Sequence, residues 1–463
     1  MRSKALCVCA VCLAAFLCLL CSPVYTKEAP PPPKGPLVLT DFGSLQEAVD
    51  SLPDRQGAIY VPRGSYTIKK TVDLTQAAGY GGGITIFGDG RASRLVGQTG
   101  GQPIFDLTGA SHCYMHDLAI NSEDANIGLL LARRADGNAA QEHRFERLIM
   151  EGKYSIANVY NVTSELVRFS DCVLIQNAPD AHNIIWSSEN HLNIESPYRG
   201  KLRSIYSNTE FRLDRNTIYN WGGGEKGTNI YLRGFTSDLS ITDCYLGQAT
   251  LANVLFEDSS KGGPVCTVKI DGVRVESTAK HVLLIRGRAD GVSVKNCTFF
   301  NNNAPLIEGS DGSAGWWQIE NVWFWNTAGK KLMTRFGDLH HSRMDGTWCE
   351  FQNWTKEPDE AGAPVVAAIT KRSRANTITV QNRELVKLPE DTAGTVIDAM
   401  DENGVRRHYA GSSASGEVMN LEMVNTKNVK NPKRGDIALD DGTNAPDGKP
   451  ALAIYDGKNW ILR

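Results

Sequence analysis

Six stretches of the chain alternate apolar and polar side chains in the same way. They are 167–174 (VRFSDCVL), 204–211 (SIYSNTEF), 239–246 (LSITDCYL), 268–275 (VKIDGVRV), 292–299 (VSVKNCTF) and 317–324 (WQIENVWF). Each carries Asp, Asn or Gly at the fifth place or beside it and then returns to alternation. The last three copies are offset by 24 and 25 residues. Alternation of period two marks a strand with one buried face. A unit this short cannot bury a core alone, so the copies must stack. Between them runs a second set of short strands: 183–188 (NIIWSS), 229–234 (NIYLRG), 253–258 (NVLFED), 282–287 (VLLIRG) and 304–309 (APLIEG). One angular strand pair plus one further strand per coil predicts three parallel sheets around a shared interior. About eight such coils make a rod on the order of 40 Å long.

The flanks read differently. Residues 44–52 (SLQEAVDSL) predict a short helix: Ser44 and Glu47 match a capping box, and Leu45, Ala48, Val49 and Leu52 share one side. Strands and turns follow at 57–68, 81–90 and 102–109, and the repeats run from about His112 to Met333. After Asp345 the pattern stops. A linker signal at 355–364 (TKEPDEAGAP) precedes a β-rich tail whose Asp-Gly pairs mark turns. The expected division is a signal peptide over 1–26, a Pro-rich spacer over 27–39, a solenoid over 40–347, a linker over 348–364 and a β-rich region over 365–463.

Composition narrows the class. Lys+Arg 49 against Asp+Glu 52 gives a net charge of −3, without the basic footprint of a nucleic-acid binder. Arg2 and Lys4 precede an uncharged apolar run, Ala5–Leu20, and small residues at 22–26, the pattern of an export signal. The run is short for a membrane span. The expected location is therefore secreted or at the cell envelope or surface, with no integral membrane domain once the signal is removed. Lipid attachment at Cys21 is the rival reading. Of the 11 cysteines, five lie in the signal and six remain. Cys172, Cys244 and Cys297 hold one place in alternate copies, so they stand ~9.6 Å apart on stacked strands. That is too far for a bridge, and they read as small buried apolar side chains. No CxxC or histidine cluster suggests a metal, and no Asp cluster on the second strand set supports calcium. No cofactor is expected.

With these strands in place, the chain resembles the right-handed parallel β-helix family of pectate lyases, polygalacturonases and rhamnogalacturonases. The resemblance covers about residues 40–345, and 42–68 (FGSLQEAVDSLPDRQGAIYVPRGSYTI) resembles that family's capping helix and first coil. The resemblance implies an all-β, single-stranded right-handed parallel β-helix with an N-terminal capping helix and a small C-terminal β-rich module. It also implies that Asp171, Asn208, Asp243, Asn296 and Asn321 line the bend between the second and third sheets. The strands of the NIYLRG type would form the first sheet, which floors the substrate groove in that family.

On that first sheet one outward column reads Ser187, Arg233, Glu257, Arg286, Glu308, and the column two residues earlier reads Ile185, Tyr231, Leu255, Leu284, Leu306, preceded by Asn183, Asn229 and Asn253. Alternating charges ~5 Å apart suit a ladder that fixes register. The same column suits catalysis. Glu257 and Glu308, two rungs apart, approach the spacing of an inverting carboxylate pair. For β-elimination, Arg233 or Arg286 would stabilise an enolate while a base removes a proton. Glu257 with Asp258 is the expected acid/base pair, and His182 follows. Two long connections, 188–203 and 212–228, would wall a cleft and bring Glu189, His191, Glu195 and Asp214 nearby. Asp180, Trp221, Glu225 and Tyr231 are the expected substrate contacts. Trp316, Trp317, Trp323, Trp325, Trp348 and Trp354 read as a plug for the last coils, and His340-His341 as a loop pair.

Two functions remain open from these residues. One is a secreted carbohydrate-active protein that cleaves a polysaccharide in a groove on the first sheet, as a glycoside hydrolase or a polysaccharide lyase. The other is a non-catalytic glycan-binding surface or fibre protein. The spacer, the tail and the absence of the Asp-rich phrases of polygalacturonases motivate the second. Polysaccharide is the expected partner in both. A trimer, as in some fibrous relatives, is compatible with the sequence and not required by it.

Overall fold

The computed structural model describes residues 35–351 apart from 78–82, 138–139, 205–207, 260, 302–304, 327–331 and 346–347, and beyond these a set of separate segments between 365 and 462. The signal peptide, Cys21, residues 27–34 of the Pro-rich spacer and the TKEPDEAGAP stretch lie outside the described residues. Among the described residues no helix is long and apolar enough to cross a membrane.

The chain is an all-β parallel solenoid of about ten turns. One coil shows the plan: His182–Ser187 lies in the first sheet, Asn208–Asp214 in the middle sheet and Thr217–Asn220 in the third. The chain then re-enters the first sheet at Thr228–Arg233, one rung on. Register is continuous between rungs, with Ile184 beside Ile230, Phe211 beside Leu239 and Ile218 beside Leu246. Most inward positions are apolar, so like residues stack along the axis. Val167, Phe169, Cys172, Leu174, Ile184 and Trp186 from neighbouring turns are all buried in one continuous core.

Two left-handed bends set the shape of each turn. His112, Glu142, Leu166, Glu210, Asp238, Thr267, Gly291 and Trp316 have positive φ at or near the start of the middle-sheet strand. Asp117, Arg147, Asp171, Arg215, Asp243, Gly272, Asn296 and Asn321 have positive φ after it. The two series stand five residues apart in every coil. Four of the expected bend residues fall in the second series. Asn208 does not: it starts a strand, and Arg215 takes the bend of that turn. The 204–211 stretch alternates and contains an Asn, but the stacked copy is 211–218, seven residues later, where Arg212 sits beside Arg168. The second expected long connection, 212–228, shrinks accordingly, because 212–220 is strand, bend and strand.

The asparagines expected on the outer face point inward. Asn183, Asn229 and Asn253 are fully buried, and their amides form a ladder. Asn183 Nδ2 donates to Asn229 Oδ1 (2.9 Å), and Asn229 Nδ2 donates to Asn253 Oδ1 (2.8 Å). The same two amides also donate to the carbonyls of Tyr219 and Gly247. Such a ladder satisfies backbone groups where the third sheet turns into the first.

At the N-terminal side the predicted helix is present as α1, Leu45–Asp50. The Glu47 amide donates to Ser44 Oγ, the Gly43 amide donates to Glu47 Oε2, and Leu45, Ala48 and Val49 join the solenoid core. Stacking does not stop at Asp345. Val365–Ala368 pairs in parallel with 332–335, Thr377–Asn382 with 343–344, and Val396–Met400 with Thr377–Asn382. Ile437–Asp440 pairs antiparallel with Ala451–Tyr455, and Ala451–Tyr455 with Trp460–Leu462; the Asp-Gly pairs between them lie outside the described residues. Cys113, Cys172, Cys244, Cys266 and Cys297 are free thiols, and Cys172, Cys244 and Cys297 are buried as read from the repeat. Trp317 is buried as well, whereas Trp316 (56% exposed) and Trp323 (43%) are not.

Candidate functional site on the first sheet

The outer face of the first sheet carries an apolar patch formed by Leu130, Tyr160, Val162, Ile185, Leu255 and their neighbours. A strap leaves the strand end at Ser188 and runs back over this patch toward the N-terminal coils, laying Ile194 and Leu202 on it. Three contacts pin its tip. Ser196 Oγ donates to the buried Asp106 carboxylate, Tyr198 Oη donates to the Thr71 carbonyl (2.5 Å), and Arg199 Nε donates to Thr75 Oγ1 (2.8 Å). The strap thus covers the sheet before the 182–187 rung and leaves the following rungs uncovered by it. Its first residues, Glu189 and His191, stay at that edge.

A cluster of six side chains forms there. Tyr231 and Arg233 project outward from Thr228–Arg233, with Glu257 on the next rung beside Arg233. Tyr231 Oη donates to Glu257 Oε2. Arg233 Nη1 donates to the same oxygen (2.5 Å), and Arg233 Nε donates to Glu189 Oε1 (2.9 Å). The guanidinium therefore joins strap to sheet, and its fork holds the two carboxylates within about 8 Å of each other. Glu189, Arg233 and Glu257 side chains are 15%, 22% and 23% exposed, enough for a ligand to reach them.

Two histidine rings flank the Tyr231 ring, His182 at 5.3 Å and His191 at 5.5 Å between centroids. Burial pulls the His182 pKa down to about 4, helped by repulsion from His191. Burial likewise pulls His191 down to about 4, helped by the Arg233 charge. Both rings are neutral near pH 7. His182 Nδ1 meets Thr228 Oγ1 at 2.8 Å. His191 Nδ1 faces Ser187 Oγ (3.4 Å), while His191 Nε2 is buried with no hydrogen-bond partner. Burial and the bond to Glu257 push the Tyr231 phenol above its usual range, so it stays protonated. The cluster thus holds a neutral base and a protonated phenol side by side.

The structure brings together Tyr231, Arg233, Glu257 and His182 from the expected set. It separates the others. Asp258 lies past the strand end with its carboxylate against Gly287. Arg286 stands beside Glu257 in register and is exposed, but Glu257 makes its ion pair with Arg233. Glu308 belongs to a different column: its neighbour is Leu284, and it pairs with Arg335 at 3.5 Å. Leu283 pairs with Ile307 and Leu284 with Glu308, so aligning LIRG with LIEG by their shared Ile and Gly displaced Glu308 by two residues. The Glu257–Glu308 pair is withdrawn for that reason. Asp180 is part of a turn. Its carboxylate accepts the Lys226 and Glu225 amides, which hold it below the usual range. Trp221 is 57% exposed and stacks on Tyr219 of the third sheet. Glu225 is exposed in the same turn. Glu189 and His191 had been legible only as residues of a long loop, Ser187 as the start of the outward column, and Thr228 carried no signal. Among the described residues no group of three or more His, Cys, Asp or Glu is placed to hold a metal ion.

No protein-family profile matches the chain, and no curated protein matches it. Solved structures share its fold. DFA-IIIase from Arthrobacter chlorophenolicus A6, without its lid and in complex with GF2, aligns with a TM-score of 0.53 at 13% identity over 78% of this chain and 98% of that one. ORF18 of Geobacillus virus E2 aligns with a TM-score of 0.49 at 14% identity, over 92% and 75%. The A-module of the Azotobacter vinelandii mannuronan C-5 epimerase AlgE6 aligns with a TM-score of 0.46 at 14% identity, over 78% and 99%. At these identities the likeness is one of fold. Together with the three stacked sheets it puts the chain among the right-handed parallel β-helix structures.

Proposed function

We propose that the chain is a polysaccharide-processing enzyme whose reaction takes place over Tyr231 on the first sheet. β-Elimination beside a uronate carboxylate is the reaction these side chains fit best. The observation that carries this reading is the His191 ring, 5.5 Å from the Tyr231 ring between centroids, with a buried Nε2 that has no hydrogen-bond partner. In the reaction His191 takes the proton alpha to the carboxylate. The electron pair forms the new double bond, the bond from the β carbon to the glycosidic oxygen breaks, and Tyr231 supplies the proton to that oxygen. An anionic sugar beside His191 raises its basicity toward the working range. Arg233 is committed to Glu189 and Glu257, so Arg286, exposed one rung from Glu257, is the guanidinium for the sugar carboxylate. The fold likeness to structures named for carbohydrate chemistry supports the substrate class.

One observation favours hydrolysis as a second reading. Glu189 and Glu257 share one guanidinium and stand within the range of carboxylate spacings, about 5–9.5 Å, that glycosidases use. A panel of acidic and neutral polysaccharides separates the two. Elimination gives products with an ultraviolet-absorbing double bond, and hydrolysis gives new reducing ends without it. His191→Ala and Tyr231→Phe are each expected to lower turnover at least a hundredfold, in line with general acid–base catalysis worth about 10²–10⁴. Turnover unchanged in both variants removes this site from the chemistry. No product from any polymer leaves only the glycan-binding reading. Export of the protein is part of the proposal and is checked by fractionating cells for the processed chain.

A further inference from the structure

We propose that the outer face of the middle sheet carries a second binding site, for an anionic polysaccharide lying along the coil axis and held by Arg144, Arg168 and Arg212. These three arginines occupy directly neighbouring positions on successive rungs. All three are exposed. Their backbones are ~4.8 Å apart, and like charges directly opposite on paired strands destabilise a sheet. Two carboxylates, Glu142 and Glu210, line the same surface, and Glu142 pairs with His112 at 2.6 Å. Arg168 Nη2 reaches Asp214 Oδ2 at 3.2 Å, but that carboxylate also takes Arg215 Nη1 at 2.6 Å. Among the described residues no carboxylate makes an ion pair with Arg144 or Arg212. Elsewhere on this sheet charges are matched: Asp271 meets Lys269 and Glu320 meets Lys295. Among the described residues the two arginines of these rungs without an ion pair, Arg144 and Arg212, flank Arg168.

The surface over these rungs is concave. A cavity of about 590 Å³ is lined by Arg144, Arg168 and Arg212 with Tyr114, Leu166, Glu142 and Glu210. A second, of about 810 Å³, shares Arg168 and Arg212 and continues to Lys269 and Lys295, with Asp214, Asp238 and Asp271 beside them. Sharing those residues makes them one trough along the axis. A guanidinium fork binds a carboxylate or sulfate through two parallel hydrogen bonds. A ladder of forks, one per rung, suits a linear polymer with an acid at regular intervals. Leu166, 43% exposed beside Arg168, offers an apolar surface to a sugar ring. A nucleic-acid strand fits less well. Tyr114, the one aromatic ring among the two sets of lining residues besides His112 and His143, is already bonded to Glu146, and the whole chain is net negative. The site lies on a different sheet from Tyr231 and does not depend on which reaction occurs there.

The test is fluorescence anisotropy of the full chain with labelled oligogalacturonate and heparin fragments, against neutral dextran and single-stranded DNA of similar length. Arg144→Ser/Arg168→Ser/Arg212→Ser is expected to weaken binding of the acidic glycans about tenfold or more, while the triple Lys variant keeps most of it and wild-type affinity falls with salt. Melting curves check that the variants fold. Hydrogen exchange on the wild-type chain gives an independent reading: the acidic glycan should protect 141–146, 165–170 and 208–214. Equal affinity in the Ser variant, or protection elsewhere only, overturns the proposal. Equally tight binding of DNA through the same arginines overturns the polysaccharide assignment. Turnover at Tyr231 is read separately by product absorbance, so either proposal can fail alone.

Discussion

Arg233 holds two carboxylates of like charge close together, and its loss leaves both without their cation. Arg233→Met is therefore expected to destabilise the fold by about 1–2 kcal/mol, a value reduced for partial solvent screening. Urea denaturation measures it, and no change in midpoint would mean that solvent already satisfies Glu189 and Glu257. Three histidines make stability depend on pH. His143 is fully buried, its Nδ1 accepts the Cys113 amide, and burial pulls its pKa down to about 3. His182 and His191 sit at about 4. In the unfolded chain each titrates near 6.5. Below that value the unfolded state binds protons that the folded state refuses, so stability falls as pH drops from 6.5 toward 4 and is fully present above 6.5. His143→Leu should lower the melting temperature at pH 7, because the Cys113 amide loses its acceptor. It should also flatten the decline below pH 6.5. A decline as steep as in the wild type would assign the effect to other groups.

At the scale of elements, the bends decide where each coil turns, and their residue types decide how legible they are. Asp171, Asp243, Asn296 and Asn321 could be read from the sequence because Asp and Asn tolerate left-handed backbone. Arg215 could not. It holds φ 54° and pairs through Nε and Nη2 with Asp171 of the preceding bend at 2.8 and 2.9 Å. A long side chain there carries no local signal, and a nearby Asn on an alternating stretch drew the register away. Glu308 was displaced for a related reason, since a shared Ile-X-Gly ending drew the alignment two residues from the register in which Leu284 pairs with Glu308. Inward strands were legible because their alternation reports burial directly. The strap was legible only as length, because its docking on Thr71, Thr75 and Asp106 joins residues about 90 to 127 positions apart. The bend reading is testable. Arg215→Val forces a β-branched residue into left-handed backbone and should cost about 1–2 kcal/mol, whereas Arg215→Gly should stay near neutral as relief of strain offsets the lost ion pair. Equal effects of the two in thermal melts would mean that the ion pair, and not the backbone, sets this bend.

Apart from the strap, the solenoid is a stack in which coils pack on their neighbours, so its stability is close to a sum of rungs and interfaces. Trp317 offers a way to see this. It is buried, its Nε1 donates to the Ala289 carbonyl at 2.9 Å, and its ring meets Phe256 and Phe336 at 5.7 Å each. It therefore ties one coil to the coils on both sides. Trp317→Ala should open a cavity worth about 3–5 kcal/mol, the range of large aromatic truncations in cores. In a cooperative globule that loss would lower protection everywhere by the same amount. In a solenoid it should be local. Native-state hydrogen exchange is expected to show lost protection over about 265–345, while amides at 141–176, several rungs away, keep wild-type rates. The Tyr231 cluster lies between these regions, on rungs 228–233 and 252–257. Its Arg233 pairing should therefore weaken only to the extent that loosening spreads through Phe256, on the strand that carries Glu257. Uniform loss of protection along the chain would show that the coils fold as one unit.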